Sequence, residues 1–257
     1  MSYGRNVIYL YDGSFEGLLS AVFDSYANHE IPSAIEVSEN GQQTLFYDYL
    51  HIPTDFEKSD RVLKKITAVA GQRAAYEMYR SFFANFPDKG IIIFYYIRAC
   101  LKFGYSVTKR LTEDCVNAVM TASQKVGSEA HLYTGFVRFS ELSNGVYYSR
   151  IEPKNNILPI IAYHFVRRYG SMAFMIHDTS RGMCLVYNGK ECNIYPADTL
   201  PALTLSGSEK DYRKLWKEFY DTIAIKERIN KKCQMTHLPK HFRRFMTEFD
   251  ISQAFSQ

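Results

Sequence analysis

The sequence predicts an α+β protein: an antiparallel sheet with hairpins packed on helices, plus a mainly helical insertion. Asn144-Gly145 and Asn188-Gly189 each lie between aromatic and β-branched runs, the pattern of a tight hairpin. From Thr54 to Ala130, by contrast, apolar residues recur at helical spacing with few turn signals. At 257 residues, 46% hydrophobic and 23% charged, the chain can bury a core throughout, with no window that reads as disordered. We therefore expect a single domain over 1–257 with two lobes: the helical insertion at 54–130, and a sheet-and-helix lobe at 131–250 that ends in a basic segment.

Taken in order, Asn6 to Tyr11 is an apolar strand and Asp12-Gly13-Ser14 a turn. A helix follows from Phe15 to about Tyr26, with Ser14 as its cap and Leu18, Leu19, Val22 and Phe23 as its apolar stripe. The free N–H groups past Gly13 and Ser14 also make a candidate phosphate cradle, the competing reading being a helix capped by its own serine. Thr44 to Leu50 is a second strand, ended by Pro53. Helices are predicted at 55–70, 72–86 and 88–103 and again after Leu111, the first two joined into one bent helix if Gly71 does not break them. The tyrosines and phenylalanines here, Tyr79, Phe82 and Tyr96 among them, are read as packing rings, with a base-stacking platform as the alternative.

In the second lobe Gly135 to Phe139 and Val146 to Ile151 pair as antiparallel strands across Ser143-Asn144-Gly145. Pro153 ends the second of these, and Asn155 or Asn156 caps a helix through Ile157, Ile161, Phe165 and Val166. Met172 to Ile176, Gly182 to Tyr187 and Glu191 to Tyr195 form a three-strand meander. A long helix from Glu209 to about Asn230 carries Leu215, Trp216 and Phe219, and Pro239 opens a short final helix.

Five widely spaced cysteines without a Cys-x-x-Cys pair exclude a disulfide framework and a thiolate metal site, so reduced thiols and a cytoplasmic location are expected. The N-terminal apolar run is too short for a signal sequence, and Arg98 and Lys102 interrupt the longest apolar stretch, so no membrane contact is expected. His237 and His241 are four apart, but Pro239 lies between them and no glutamate accompanies them; no metal or other cofactor is expected. Glycine fingerprints for nucleotides and a Gly-x-Ser-x-Gly elbow are missing as well.

Charge is where the sequence points to a partner. The net charge is only +4, yet Lys226 to Arg244 holds seven basic residues against one acid, Glu227. A local excess of +6 on a chain otherwise net acidic calls for a polyanion. Arg228, Lys231, Lys232, Lys240, Arg243 and Arg244 supply phosphate contacts, while Asn230 and Gln234 can bond to phosphate or a base edge. Arg138, His164, Arg167, Arg168 and Arg181 are expected to line a groove of the same interface. His164 and Asp178 are the candidate acid/base pair, weighed against a histidine satisfied inside the fold.

Several of these segments carry a resemblance. Tyr9-Leu10-Tyr11-Asp12-Gly13-Ser14-Phe15-Glu16-Gly17, Phe136-x-Arg138-Phe139, His164-Phe165-x-Arg167-Arg168, Ile176-x-Asp178-x-x-Arg181 and Ile225-x-x-Arg228-x-Asn230 with Gln234 and Pro239 are similar to a bacterial family of DNA-metabolism or DNA-repair proteins of unknown function. The resemblance spans nearly the whole chain. Members are typically encoded beside a radical-SAM DNA-repair protein, and some relatives carry a uracil-DNA-glycosylase-like domain, which is not expected here. What it implies is a DNA-binding accessory protein in repair, with DNA and a radical-SAM DNA-repair protein as partners and no iron–sulfur cluster of its own. Two other classes stay open: an enzyme acting on a nucleic-acid base or nucleotide through His164 and Asp178, and a scaffold for the partner without DNA contact.

Overall fold

The computed structural model describes residues 6–38, 46–199, 204–223 and 238–246. The chain is α+β and divides into two compact units, Met1–Gly127 and Ser128–Gln257.

The first unit is built on β1 (Val7–Tyr11), whose five residues are all buried. Such a strand must be covered on both faces, which suits the centre of a parallel sheet. β1 does pair in parallel with β2 (Ala34–Val37) on one side and β3 (Asp48–His51) on the other. This small parallel sheet is separate from the antiparallel sheet expected in the second lobe. β2 was not foreseen, and α1 (Phe15–Ala27) provides the crossover to it that a parallel pair requires.

α2 (Phe56–Phe82) is the single bent helix, capped by Asp55, whose side chain accepts from the N–H groups of Glu57 and Lys58. Its bend is at Gly71, where φ is 88° and the Tyr105 ring leaves only 3.0 Å for a Cβ; glycine alone meets both conditions. α3 (Lys89–Phe103) has the length and hydropathy of a membrane-crossing segment when taken with the short 3₁₀ turn after it. However, Ile93, Phe94, Tyr96, Ile97 and Cys100 are buried in the core of this unit, so the apolar side is already occupied. Phe15, Tyr79, Phe82 and Phe83 meet edge to face at 4.9–5.4 Å, which makes the expected packing rings a core feature.

α4 (Asp114–Phe136) ends in the second unit. It overruns the strand expected at Gly135–Phe139, because Tyr133 and Phe136 pack on Phe242 at 4.8 and 5.0 Å and hold the last turn helical. The hairpin instead joins β4 (Ser140–Glu141) to β5 (Tyr147–Ile151) around the Asn144-Gly145 turn. α5 (Leu158–Tyr169) starts after Ile157, not at Asn155, since Asn155 bonds through its backbone and side chain to Glu129 at 2.9 and 2.7 Å.

β6 (Phe174–Asp178), β7 (Met183–Tyr187) and β8 (Cys192–Pro196) form the expected meander, in a sheet of order β4-β5-β6-β7-β8. The sheet is antiparallel as expected but for one pairing: β5 and β6 run parallel, with α5 as the crossover. Phe165 and Tyr169 of α5 cover one face of this sheet by packing on Phe174 at 6.3 and 5.5 Å. α6 (Glu209–Ile223) is tied to β4 through Glu209, which accepts from the Glu141 N–H, and a short α7 (Lys240–Arg243) follows Pro239.

Candidate nucleic-acid interface

Side chains alternate across a strand, and the registers of the second sheet fix which of them share a face. Tyr148 stands beside Met175, Arg150 beside His177, and His177 beside Cys184. This face, opposite the one that α5 covers, combines a small apolar patch of Leu142, Tyr148, Met175 and Cys184 with polar groups at the β5 and β6 C-terminal ends.

Tyr148 Oη and His177 Nδ1 are hydrogen-bonded at 2.8 Å. Burial pushes the tyrosine up to about 12, against the opposing pull of Arg150. Burial also lowers the pKa of His177, Arg150 lowers it further, and Asp178 works the other way. Near neutral pH the pair is therefore an un-ionised phenol on a neutral imidazole, with a guanidinium adjacent. Arg150 lies over the Phe245 ring at 5.1 Å, and Arg244 lies over the same ring at 5.3 Å. Arg244 also meets Glu152 at 2.7 Å, in a pair whose side chains are 65% and 44% exposed. Pairs this open are worth about 0–1 kcal/mol, so a phosphate could take the carboxylate's place at little cost.

The residues expected from the sequence are distributed more widely. Arg138 and Arg168 both act on the Tyr169 hydroxyl, whose pKa burial raises and these two cations lower. Arg138 additionally donates to the carbonyl of Gly135 at 2.8 Å. Arg167 is exposed and folds back over Tyr163 of its own helix at 5.6 Å. Arg181 instead points inward to Asp178 at 2.9 Å and to the carbonyls of Pro153 and Lys154. Arg243 donates to the Leu238 carbonyl. Lys240 opens α7, while Arg228, Asn230, Lys231, Lys232 and Gln234 lie outside the described residues.

His164 and Asp178 are not brought together. His164 is exposed on α5 with its ring edge-on to Phe165, whereas Asp178 is fully buried and accepts from Arg181 and the Ser180 N–H. Gly13 and Ser14, in the first unit, sit in a self-capped junction. Ser14 Oγ accepts from Gly17 N, while Asp12 accepts from Ser14 N, Ser14 Oγ and Thr54 Oγ1 at 2.6–2.9 Å. Burial works to raise the Asp12 pKa, but these hydrogen bonds outweigh it and hold the carboxyl below its usual range. A Cβ on Gly17 would lie 2.2 Å from the carboxylate, which is why this turn carries glycine there. An anion approaching these N–H groups thus meets a carboxylate already in place.

Among the described residues no three His, Cys, Asp or Glu side chains group to hold a metal ion. Cys184 shares the Tyr148 face, but burial pushes its thiol up to about 12 and keeps it protonated, so it is no nucleophile. Tyr148, Arg150, His177 and Phe245 are what the sequence reading missed. The signal for the first three was the strand alternation Tyr148-x-Arg150 and Met175-x-His177.

The lowered pKa of His177 makes a prediction. The unfolded chain binds the proton below the ordinary value of 6.5 while the folded chain still excludes it. Stability is then full above that pH and falls as pH drops from 6.5 toward the depressed value. Urea midpoints at pH 7.5 and 5.5 should differ less in His177→Phe than in the parent chain; an equal acid loss in both would overturn this assignment.

Comparison with known proteins adds one match. No curated protein and no solved structure matches the chain. Residues 87–248, more than half of the chain, match the model of a protein family that includes α3 to α7 and hence the whole of the second sheet. The chain therefore belongs to the family described as a domain of unknown function, DUF4130.

Proposed function

We propose that the chain is a cytoplasmic DNA-binding accessory protein in DNA repair or metabolism, acting with a radical-SAM protein that holds the iron–sulfur cluster this chain lacks. The observation that carries the reading is the Arg150–Phe245–Arg244 stack beside Tyr148 and His177. Guanidinium groups meet phosphate oxygens in charge-assisted bonds, and aromatic rings accept unstacked bases of any sequence. Arg244 closes, in sequence, the +6 segment that begins at Lys226, and these cations would track the nucleic-acid backbone. Arg138 and Arg168 near Tyr169 are further cations within the same unit. The context of repair is suggested by the resemblance of segments such as His164-Phe165-x-Arg167-Arg168 to DNA-metabolism proteins, which motivates this reading.

The test is a salt titration of DNA binding. Replacing Arg228, Lys231 and Lys232 together by Ala should flatten the log–log slope by about 2 to 3 units, according to whether the DNA is single- or double-stranded. Phe245→Ala should weaken single-strand binding by about 1–3 kcal/mol without changing that slope. Salt-insensitive binding, or an unchanged slope in the triple variant, would refute the proposal.

One observation favours a second reading, an enzyme acting on a nucleic-acid base or nucleotide. The neutral His177, oriented by Tyr148, is a better general base than the exposed His164 or the ion-paired Asp178. Turnover of damaged or uracil-containing DNA that is lost in His177→Ala, yet kept in the triple variant, would select the enzyme.

A further inference from the structure

The first unit carries an open apolar groove that the nucleic-acid reading does not use. α1 contributes Val22, Phe23 and Tyr26 to it, α2 contributes Val62 and Ile66, and α3 contributes Ile97 and Leu101. Phe23 to Tyr26 is a step of three, and Val22 to Tyr26, Val62 to Ile66 and Ile97 to Leu101 are steps of four, spacings that share a helical face, so three helices converge on one floor. Val22, Ile66 and Ile97 are each only 1% exposed at the bottom of a depression of about 600 Å³. Beyond Tyr26 and Leu101 a second depression of about 920 Å³ continues the trench along Ile92, Tyr95, Ala99 and Phe103. A contiguous apolar depression open to water marks a binding surface far more often than idle surface.

Its edge is cationic. Arg61, Lys64 and Lys65 line the first depression together with no carboxylate. Lys64 is spent on Asp60 in an exposed i,i+4 pair that is worth little. Arg61 lies over the Phe23 ring at 4.8 Å, and neither Arg61 nor Lys65 has a carboxylate partner among the described residues. Arg98 and Lys102 extend the positive edge along the second depression, where Glu113 and Asp114 oppose them.

The chemistry of floor and edge selects the occupant. Val22, Val62, Ile66, Ile97 and Leu101 offer no hydrogen-bonding group to the edges of a nucleic-acid base. A flat bilayer would touch the rim and leave the recessed floor empty. An amphipathic helix reaches the floor with one face and lays charged flanks along the rim. We propose that this groove docks an amphipathic helix of a partner protein, apolar on one face and acidic along its flank. The site lies in the other unit from the Arg150–Phe245–Arg244 stack, and the proposal stands whether or not the chain binds DNA.

The experiment uses the full chain and fluorescein-labelled peptides of about sixteen residues, long enough for a stable turn pattern. One peptide has Leu at i, i+3, i+4 and i+7 with Glu flanks. A second has the same composition permuted to abolish the apolar face, and a third replaces Glu by Lys. The Leu/Glu peptide should bind in fluorescence anisotropy, and its affinity should fall at least about tenfold in Arg61→Glu/Lys65→Glu, while the Leu/Lys peptide gains by about as much on the same variant. Val62→Asp should abolish binding of the Leu/Glu peptide, with circular dichroism showing both variants folded. Failure of the Leu/Glu peptide to bind, equal binding of the permuted or Leu/Lys peptide to the parent chain, or an unaffected charge-swap variant would each overturn the proposal. Displacement of the bound peptide by oligo-dT or by vesicles of phosphatidylglycerol would do so as well, by assigning the groove to a nucleic acid or a membrane.

Discussion

Glu77→Ala is expected to destabilise the first unit by about 3–5 kcal/mol, because it strands a cation in a poorly solvated site. Glu77 Oε2 accepts from Ser123 Oγ at 2.5 Å and from Arg80 at 2.9 Å, and Arg80 Nε donates to Ser123 Oγ at 2.6 Å. The two charged side chains are only 11% and 20% exposed, so water cannot take over what the carboxylate gives up. The network also couples α2 to α4. A Cβ at Gly127 would come within 2.7 Å of the Arg80 guanidinium, so α4 leaves the room that this cation fills. Glu77→Gln keeps an acceptor without the charge and should cost less than the truncation. Glu77→Leu combined with Arg80→Met should recover most of the loss, since an apolar pair of similar volume leaves no orphaned charge. Guanidinium-denaturation midpoints with unchanged m values would measure all three. A loss under about 1 kcal/mol in Glu77→Ala would mean that the network is not sealed from solvent.

How far the sequence revealed this fold follows from which signals are local. Ser14 and Asp55 cap their helices as their residue types suggest, and Asn144-Gly145 and Asn188-Gly189 do turn hairpins, although the first joins Ser140–Glu141 and not the expected Gly135–Phe139 to Tyr147–Ile151. Period and turn chemistry are properties of a few neighbouring residues, so the α+β class was legible. Pairing partners are not. Alternation tells which side chains share a face, but nothing within β5 or β6 says that they run parallel, and the crossover through α5 reads as a helix in either case. β2, with only Ala34 to Val37, is too short to show a period at all. Gly135 to Phe139 has the composition of a strand, and the packing of Phe136 on Phe242 overrides it.

The separation of His164 from Asp178 was illegible for the same reason. Arg181 is three residues from Asp178 and takes its carboxylate locally, before any helix can deliver His164 to it. Tyr148, Arg150 and His177 became neighbours only through the parallel register that the sequence left open.

That local pair carries the second large effect. Asp178→Ala is expected to destabilise the second unit by about 3 kcal/mol, near the lower end for a broken buried pair because Arg181 is 26% exposed while Asp178 is fully buried. The carboxylate accepts from Arg181 and from the Ser180 N–H, and Arg181 passes the tie onward to the Pro153 and Lys154 carbonyls at 3.1 and 2.7 Å. One clamp therefore joins the turn after β6 to the turn after β5 and holds the two parallel ends in register. Asp178→Asn retains the acceptor for Ser180 and should lose less. It should also change the pH dependence. Burial raises the Asp178 pKa, although Arg181 and the turn N–H groups oppose it. The folded chain consequently keeps this proton to a higher pH than the unfolded chain, and stability falls as pH rises from the ordinary value of 3.8 through the raised one. Asp178→Asn cannot ionise and should lack that decline, so the gap between it and the parent chain should narrow as pH rises through this window. His164→Ala should stay within about 0.5 kcal/mol of the parent, as an exposed side chain outside the clamp. A coupled loss in a His164/Asp178 double-mutant cycle would contradict this geometry and restore the dyad, because only groups in contact share an interaction energy of that size.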